Sequence, residues 1–420
     1  FDKAVESDPE LAEAFRNRAT AHALLGNFDT AVADYTELIR LGPDTATSYD
    51  GRASVYLKMD QPKMAQFDLE EAIRLDPELV SAYVHRGVAK TVLGEYRQAV
   101  NELNKAIRLN EKNSIAYSYR GDAYWKMGEF QFAMDDYDDA VSLDPSNGEA
   151  FIKKGNAFRS SGQWANAIQN YNAAFRFIQP TSKHYYHRGL AYGQVQRFDS
   201  AVEDYTKALE LDPDYTDVYN SRAVAYQGLG DTEVAIGDYS EVLRRDPNRW
   251  EVYFNRGNSY MVLEQWMNAI DDYTDSLSIS SAEALVLNNR GLAWIKLGEL
   301  DKAITDFDEA IKLNQNYVEA YVNRGIAQKE SGNTIAAIES YGEALRIAPD
   351  NGLVYFGRAL VHRAKGDADS FINDLAEALG LGVDKESMEI TLVEHGEHPI
   401  DVRNLVNEAL RRLEVRESNS

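Results

Sequence analysis

The chain has 420 residues, 44% of them hydrophobic, and 68 acidic against 44 basic residues give a formal charge of -24. That apolar share supports a packed core and excludes general disorder, while the acidic balance repels phosphate backbones and argues against nucleic acid as a partner. There is no cysteine, which excludes disulfide frameworks, thiolate metal sites and cysteine nucleophiles, and no apolar run is long enough for a membrane span.

Residues 1–8, opening Phe1-Asp2-Lys3-Ala4-Val5, read as the end of the second helix of a repeat already under way. The sequence is therefore expected to be a fragment, and an upstream domain or leader would lie outside it. The compartment stays unknown, with the cytoplasm as the working guess. From Pro9 a 34-residue period takes over, with starts at 9, 43, 77, 111, 145, 179, 213, 247, 281, 315 and 349. These are eleven units over residues 9–382 without an insertion. Pro stands at position 1 in seven of them (Pro9, Pro43, Pro77, Pro145, Pro213, Pro247, Pro349), where it ends one helix and starts the next. Positions 3–16 and 19–32 predict two helices, parted in eight repeats by a Gly at position 18 that suits a left-handed helix end. Position 11 is always Gly or Ala and position 23 is Ala in ten repeats, so the two helices can approach closely. Aromatic residues at positions 7, 14 and 27 fill the space around them. A fixed period of this length means a stack of two-helix units.

On these residues the chain resembles the tetratricopeptide repeat family. Repeat three shows the pattern in Tyr83, Gly87, Ala99, Leu103 and Ala106, and repeat four in Tyr117, Gly121, Tyr124, Ala133, Tyr137, Ala140 and Pro145. The resemblance implies an all-α fold, a right-handed superhelical solenoid of antiparallel helix pairs whose inner wall is built from the first helices. It also implies a non-catalytic scaffold for protein partners. One subgroup clamps acidic C-termini with Lys at position 5 and Asn at position 9 of one repeat. Here Asn17, Asn255, Asn289 and Asn323 fill position 9, but Glu13, Glu251, Leu285 and Glu319 fill position 5, so that clamp is not expected.

One departure is systematic. Where the family prefers Leu, position 10 is Arg in ten repeats and Lys154 in the eleventh. Position 26 is acidic in nine, with Asn170 and Ser340 as exceptions. Matched columns of opposite charge predict a structural Arg–carboxylate pair between the helices of most repeats, using the planar guanidinium fork. The acidic pairs Asp135-Asp136, Asp138-Asp139 and Asp271-Asp272 read as a solvated outer face.

Chemistry-bearing motifs are few. His184 and His187 share a helical face, but two ligands are too few for a metal site. Glu394-His395-Gly396-Glu397-His398 lacks the His-Glu-x-x-His spacing and reads as a polar loop. No phosphate loop and no nucleophile elbow are present, so neither an enzyme nor a cofactor is expected.

The wall positions (5, 8, 9, 12, 15 and 16) carry eight acids and nine bases, so the groove is expected to be near neutral. Repeats four to six gather Lys126, Lys153, Arg159 and Lys183 beside Tyr119, Trp125, Tyr186 and His187. That stretch suits an acidic or aromatic segment of a partner. Repeats seven to ten gather Asn220, Asn255, Asn258, Asn288, Asn289 and Asn323 with Phe254 and Met261. Amides donate and accept at once, so this strip is expected to hold a peptide backbone. The alternatives are a structural array, monomeric or associating end to end, and a regulatory arm of a larger protein. Residues 383–420 break the period. Asp384 to about Val393 and a helix from Pro399 are expected as capping helices and a tail. Ile400, Val402, Leu405, Val406, Leu410 and Leu413 would be buried, and Arg403, Arg411, Arg412 and Arg416 exposed.

Overall fold

The computed structural model describes residues 1–8, 10–42, 45–394 and 399–419. Pro9, Pro43, the His395-Gly396-Glu397-His398 part of the polar loop and the side chains of Ile400 and Arg416 lie outside the described residues. Among the described residues there are twenty-five α-helices and no strand, grouped into two compact units, Phe1–Pro213 and Asp214–Ser420.

In the first unit a short helix, Asp2–Ser7, precedes six helix pairs. They are Ala12–Leu24 with Phe28–Leu41, Thr45–Lys58 with Pro62–Leu75, Val80–Val92 with Tyr96–Leu109, Ser114–Met127 with Phe130–Leu143, Gly148–Ser160 with Trp164–Ala174, and Ser182–Gln194 with Phe198–Leu211. The second unit holds Thr216–Leu229 with Thr232–Arg245, Trp250–Val262 with Trp266–Ile279, Ala284–Lys296 with Leu300–Leu313, Val318–Glu330 with Thr334–Ile347, and Gly352–Lys365 with Ala368–Gly380. Lys385–Glu394 and Pro399–Asn419 follow. Most second helices begin and end one residue later than the periodicity predicts. Repeat five departs further: its second helix stops at Ala174, and Thr181 then opens the next by accepting from the His184 amide.

Close approach within each pair follows from the small residues. A Cβ on Gly257 would sit 2.7 Å from the Tyr273 ring, and one on Gly291 2.6 Å from Phe307. The turn at position 18 is left-handed whatever occupies it. Gly94, Gly128 and Gly298 have φ of 81°, 81° and 76°, and the three repeats without glycine put Asp60, Gln196 and Glu264 there at 55°, 57° and 57°.

The arginine column is a staple. Eight arginines donate Nε and one Nη to both oxygens of the Asp sixteen residues on, at 2.6–2.9 Å. Arg86 faces the longer Glu102 and makes one such bond, leaving its Nε buried without a partner. A second contact runs the other way, sixteen residues back to the preceding second helix: Arg52 to Thr36, Arg120 to Asn104, Arg188 to Asn172, Arg256 to Ser240 and Arg290 to Thr274. Each of these five guanidinium groups thus ties its own pair together and ties that pair to the one before. The exceptional repeats use the backward contact for charge, Lys154 with Asp138 and Arg324 with Asp308. Asp136 and Asp272, each 3% exposed, are therefore core residues, while their neighbours Asp135 and Asp271 face solvent. In these two doublets only one residue belongs to the solvated face, whereas Asp138 and Asp139 are both exposed.

At the far end of the second unit, Val402, Val406 and Ala409 pack with Met388 and Leu392 onto Phe371 and Leu375. Arg412 does not point to solvent as its place in the helix predicted. It reaches Asp369 at 3.0 Å and Asn373 at 3.0 Å.

Candidate functional site

First helices of successive repeats within a unit touch directly, and their polar residues meet in a recurring bracket. A second-helix tyrosine at position 27 donates to the residue at position 12 of its own first helix. Position 9 of the next repeat, thirty-one residues further along, reaches back to that same atom or group. In repeats four and five Tyr137 donates to Asp122 at 2.8 Å and Lys153 reaches the same carboxylate at 2.5 Å. In repeats five and six Tyr171 donates to Asn156 Oδ1 at 2.8 Å, and His187 Nδ1 lies 3.1 Å from that oxygen. In repeats eight and nine Tyr273 donates to Asn258 Oδ1 at 2.7 Å and Asn289 Nδ2 does so at 3.0 Å.

This bracket reshapes both groups of candidate residues. In the first unit Lys153 is not an available cation: Asp122 neutralises it, and its Nζ sits 3.5 Å over the Tyr119 ring. Arg159 is different. It forms no ion pair with any described residue, and its Nε is buried without a partner. Its positive charge opposes the burial that pushes the Tyr171 phenol up to about 12. With Tyr171 donating to Asn156 Oδ1, His187 Nδ1 must carry the proton shared with that oxygen. Burial, then the cations Arg159 and Lys183 and the ring of His184, push the His187 imidazole down to about 4, so it is neutral near pH 7. Lys126 and Lys183 are exposed. Tyr186 stands 6.0 Å from the His187 ring and 6.0 Å from Tyr205. Trp125 lies at the turn of repeat four, 4.8 Å from Phe130, beside a cavity of about 350 Å³ lined also by Met134 and Gln163. His184 closes the capping box of its helix.

In the second unit the amides are bonded to one another. Asn323 donates to Asn288 at 2.9 Å, Asn288 to Asn289 at 3.3 Å, and Asn289 to Asn258 at 3.0 Å, where Tyr273 ends the chain. The expectation of a strip of amides open to a peptide backbone is thus corrected for these four, because residues at position 9 reach the preceding repeat instead. Asn255 and Asn220 stand apart from that chain. Asn220 Oδ1 is buried with no partner among the described residues. Phe254 packs 6.0 Å from the Tyr273 ring, with Met261 in the same cluster. The residues missed by sequence reading are Asn156, Tyr171 and Tyr273, which only the thirty-one-residue spacing between repeats could have exposed.

Family models named tetratricopeptide repeat or TPR repeat match residues 1–46, 46–79, 91–128, 114–147, 182–215, 204–236, 291–332 and 318–351, together more than half of the chain. The chain belongs to the tetratricopeptide repeat family. It is accordingly a protein-interaction scaffold, a class that is generally non-catalytic, and its partners are proteins. Among solved structures it is similar to MamA (28% identity over 38% of this chain and 93% of that one, TM-score 0.37). It is also similar to YrrB, described as a TPR protein with an unusual peptide-binding site (22%, 44% and 95%, 0.43), and to a tetratricopeptide repeat protein from Parabacteroides merdae ATCC 43184 (20%, 63% and 98%, 0.46). No curated protein matches the chain. None of the described helices is long and apolar enough to cross a membrane.

Proposed function

We propose that this tetratricopeptide array holds an extended segment of a protein partner on its first-helix face, and that repeats four to six receive an acidic or aromatic part of it. The reading rests on Arg159. Nine of the position-10 arginines are matched to a carboxylate on the following helix and a tenth to one on the preceding helix, whereas Arg159 lies on the first-helix face with no carboxylate among the described residues to neutralise it. A half-buried guanidinium whose Nε has no partner, beside exposed Lys183, is a ready seat for an acid brought by a partner. In a chain of formal charge -24, such a local cationic patch also orients an approaching acidic segment.

The test replaces charge without touching the ladder. Arg159→Gln with Lys183→Gln should weaken binding of the partner recovered on the immobilised chain and flatten its dependence on salt. Asn255→Ala, at a residue outside the amide chain, should weaken binding while leaving the salt slope unchanged. Lys153 is unsuitable for this purpose because its loss would strand Asp122. Wild-type affinity in both the charge variant and Asn255→Ala would exclude the first-helix face. Sedimentation of the chain alone at the same concentrations tests the alternative, a self-associating array.

A further inference from the structure

Beside the amide chain of the second unit lies a cavity of about 370 Å³ between the first helices of repeats nine, ten and eleven. Its apolar lining comes from Leu292, Val322, Leu353 and Val354, and Asn323 and Glu319 line it as well. Three observations point to a ligand. Leu353 is 70% exposed, at a position where repeats seven, eight and ten carry Asp217, Glu251 and Glu319. Asn323 spends its Nδ2 on Asn288, so its Oδ1 is turned away from the amide chain and accepts from no group among the described residues. Glu319 makes no ion pair among the described residues, and its charge is felt instead by Tyr317, whose phenol burial and Glu319 together push upward.

Each feature selects a piece of one occupant. The cavity is at the lower end of the size of small-ligand sites, roughly 300–1,000 Å³, and its lining is mainly apolar with Glu319 its one charged residue, so its apolar part suits one aliphatic side chain. The open amide oxygen suits a main-chain N–H beside that side chain. The unpaired carboxylate suits a cation on the neighbouring residue. We infer that the second unit takes an extended partner segment in which an aliphatic residue directly adjoins Lys or Arg. This rests on the proposed use of the first-helix face, and it assigns the second unit a partner chemistry opposite in charge to that of repeats four to six.

Panning phage-displayed random short peptides on the full chain tests this, with the enriched peptides then synthesised and measured by fluorescence anisotropy. Enriched sequences should pair a Leu, Ile, Val or Met with an adjacent Lys or Arg. Leu353→Ser, exposed and so harmless to folding, should weaken them on the order of tenfold, the effect of losing one anchoring contact. Glu319→Lys should abolish the preference for Lys or Arg over Glu while the aliphatic preference persists, and Arg159→Gln with Lys183→Gln should leave affinity at its wild-type value. A selection in which no enriched peptide carries the pattern, or pattern-bearing peptides that bind Leu353→Ser as tightly as wild type, overturn the inference, as does a library that yields no binder. If the pattern-bearing peptides are weakened instead by the Arg159 and Lys183 changes or by Asn255→Ala, the cavity assignment fails and the first-helix reading stands. If none of these changes matters, both fail.

Discussion

In repeats four to six the tyrosine bracket holds Lys153 and His187, whereas in repeats eight and nine the same bracket holds only amides. The scaffold is shared: the same tyrosine column, the same spacing and the same arginine staple beneath it. What differs is whether position 9 carries ionisable chemistry. The first unit is left with a cation unmatched by any described acid, the second with an amide chain ending at an apolar cavity. Charge acts over a Debye length of about 8 Å at physiological salt, while an apolar cavity acts only on contact. On the function proposed above, the first unit would orient a partner and the second would select it.

The largest expected effect probes the part the two units share. Arg120→Leu in the first unit and Arg256→Leu in the second should each cost on the order of 3–5 kcal/mol, because each strands a buried aspartate. Arg120→Leu with Asp136→Leu, and Arg256→Leu with Asp272→Leu, should recover most of that loss. Urea melts, analysed as a multistate array, measure both. A harmless single change in either unit would show that the staple is not common to both, and the comparison would lose its baseline.

Much of this was legible in the chain itself. A 34-residue period locates every helix pair to within about a residue or two, and opposite charges in two columns give the Arg–Asp fork. The backward arm of the arginines was not legible, because where it is made its partners are Asp2, Thr36, Asn104, Asn172, Ser240, Thr274 and Asp308, a column with no common charge. Nor was the pairing of Lys153 with Asp122, since the reading summed charges along one wall rather than asking which residues of adjacent repeats meet. The cavity at Leu353 was hidden for the same reason: its walls come from three repeats, each of which looks ordinary alone.

A smaller effect tests whether the two units also share their strain. Gln196 and Glu264 hold the left-handed turn that glycine holds in most repeats. A side chain costs about 1–2 kcal/mol there, partly offset by the extra freedom glycine gives the unfolded chain. Gln196→Gly and Glu264→Gly should therefore each stabilise by about 1 kcal/mol, by equal amounts in the two units. Asp60→Gly should behave alike, with thermal melts as the measure. Destabilisation by any of the three would mean that its side chain makes a contact worth more than the strain.

The smallest effect separates the units. An unfolded histidine titrates near pH 6.5, whereas His187 in the folded chain is held down to about 4 by burial and by Arg159, Lys183 and His184. Between those values the unfolded chain binds a proton that the folded bracket does not, so stability falls as pH drops from about 6.5 towards 4. Burial also pushes His184 and His362 downward, and the second unit has an acid-sensitive group of its own in His362. Comparing units directly would therefore mislead, and the informative quantity is the difference between wild type and His187→Asn. That variant gives the bracket of repeats five and six the residue that Asn289 supplies in repeats eight and nine. It should match wild type in stability below pH 4 less poorly than above it: the acid-dependent loss attributable to His187 should vanish, leaving a shallower fall over that pH window. NMR titration of the His187 ring, repeated in Arg159→Gln with Lys183→Gln, should show its midpoint rising towards 6.5 once the neighbouring cations are gone. A midpoint already near 6.5 in wild type would mean that the ring is neither buried nor overlooked by unmatched charge, and the distinction drawn between the two brackets would go with it.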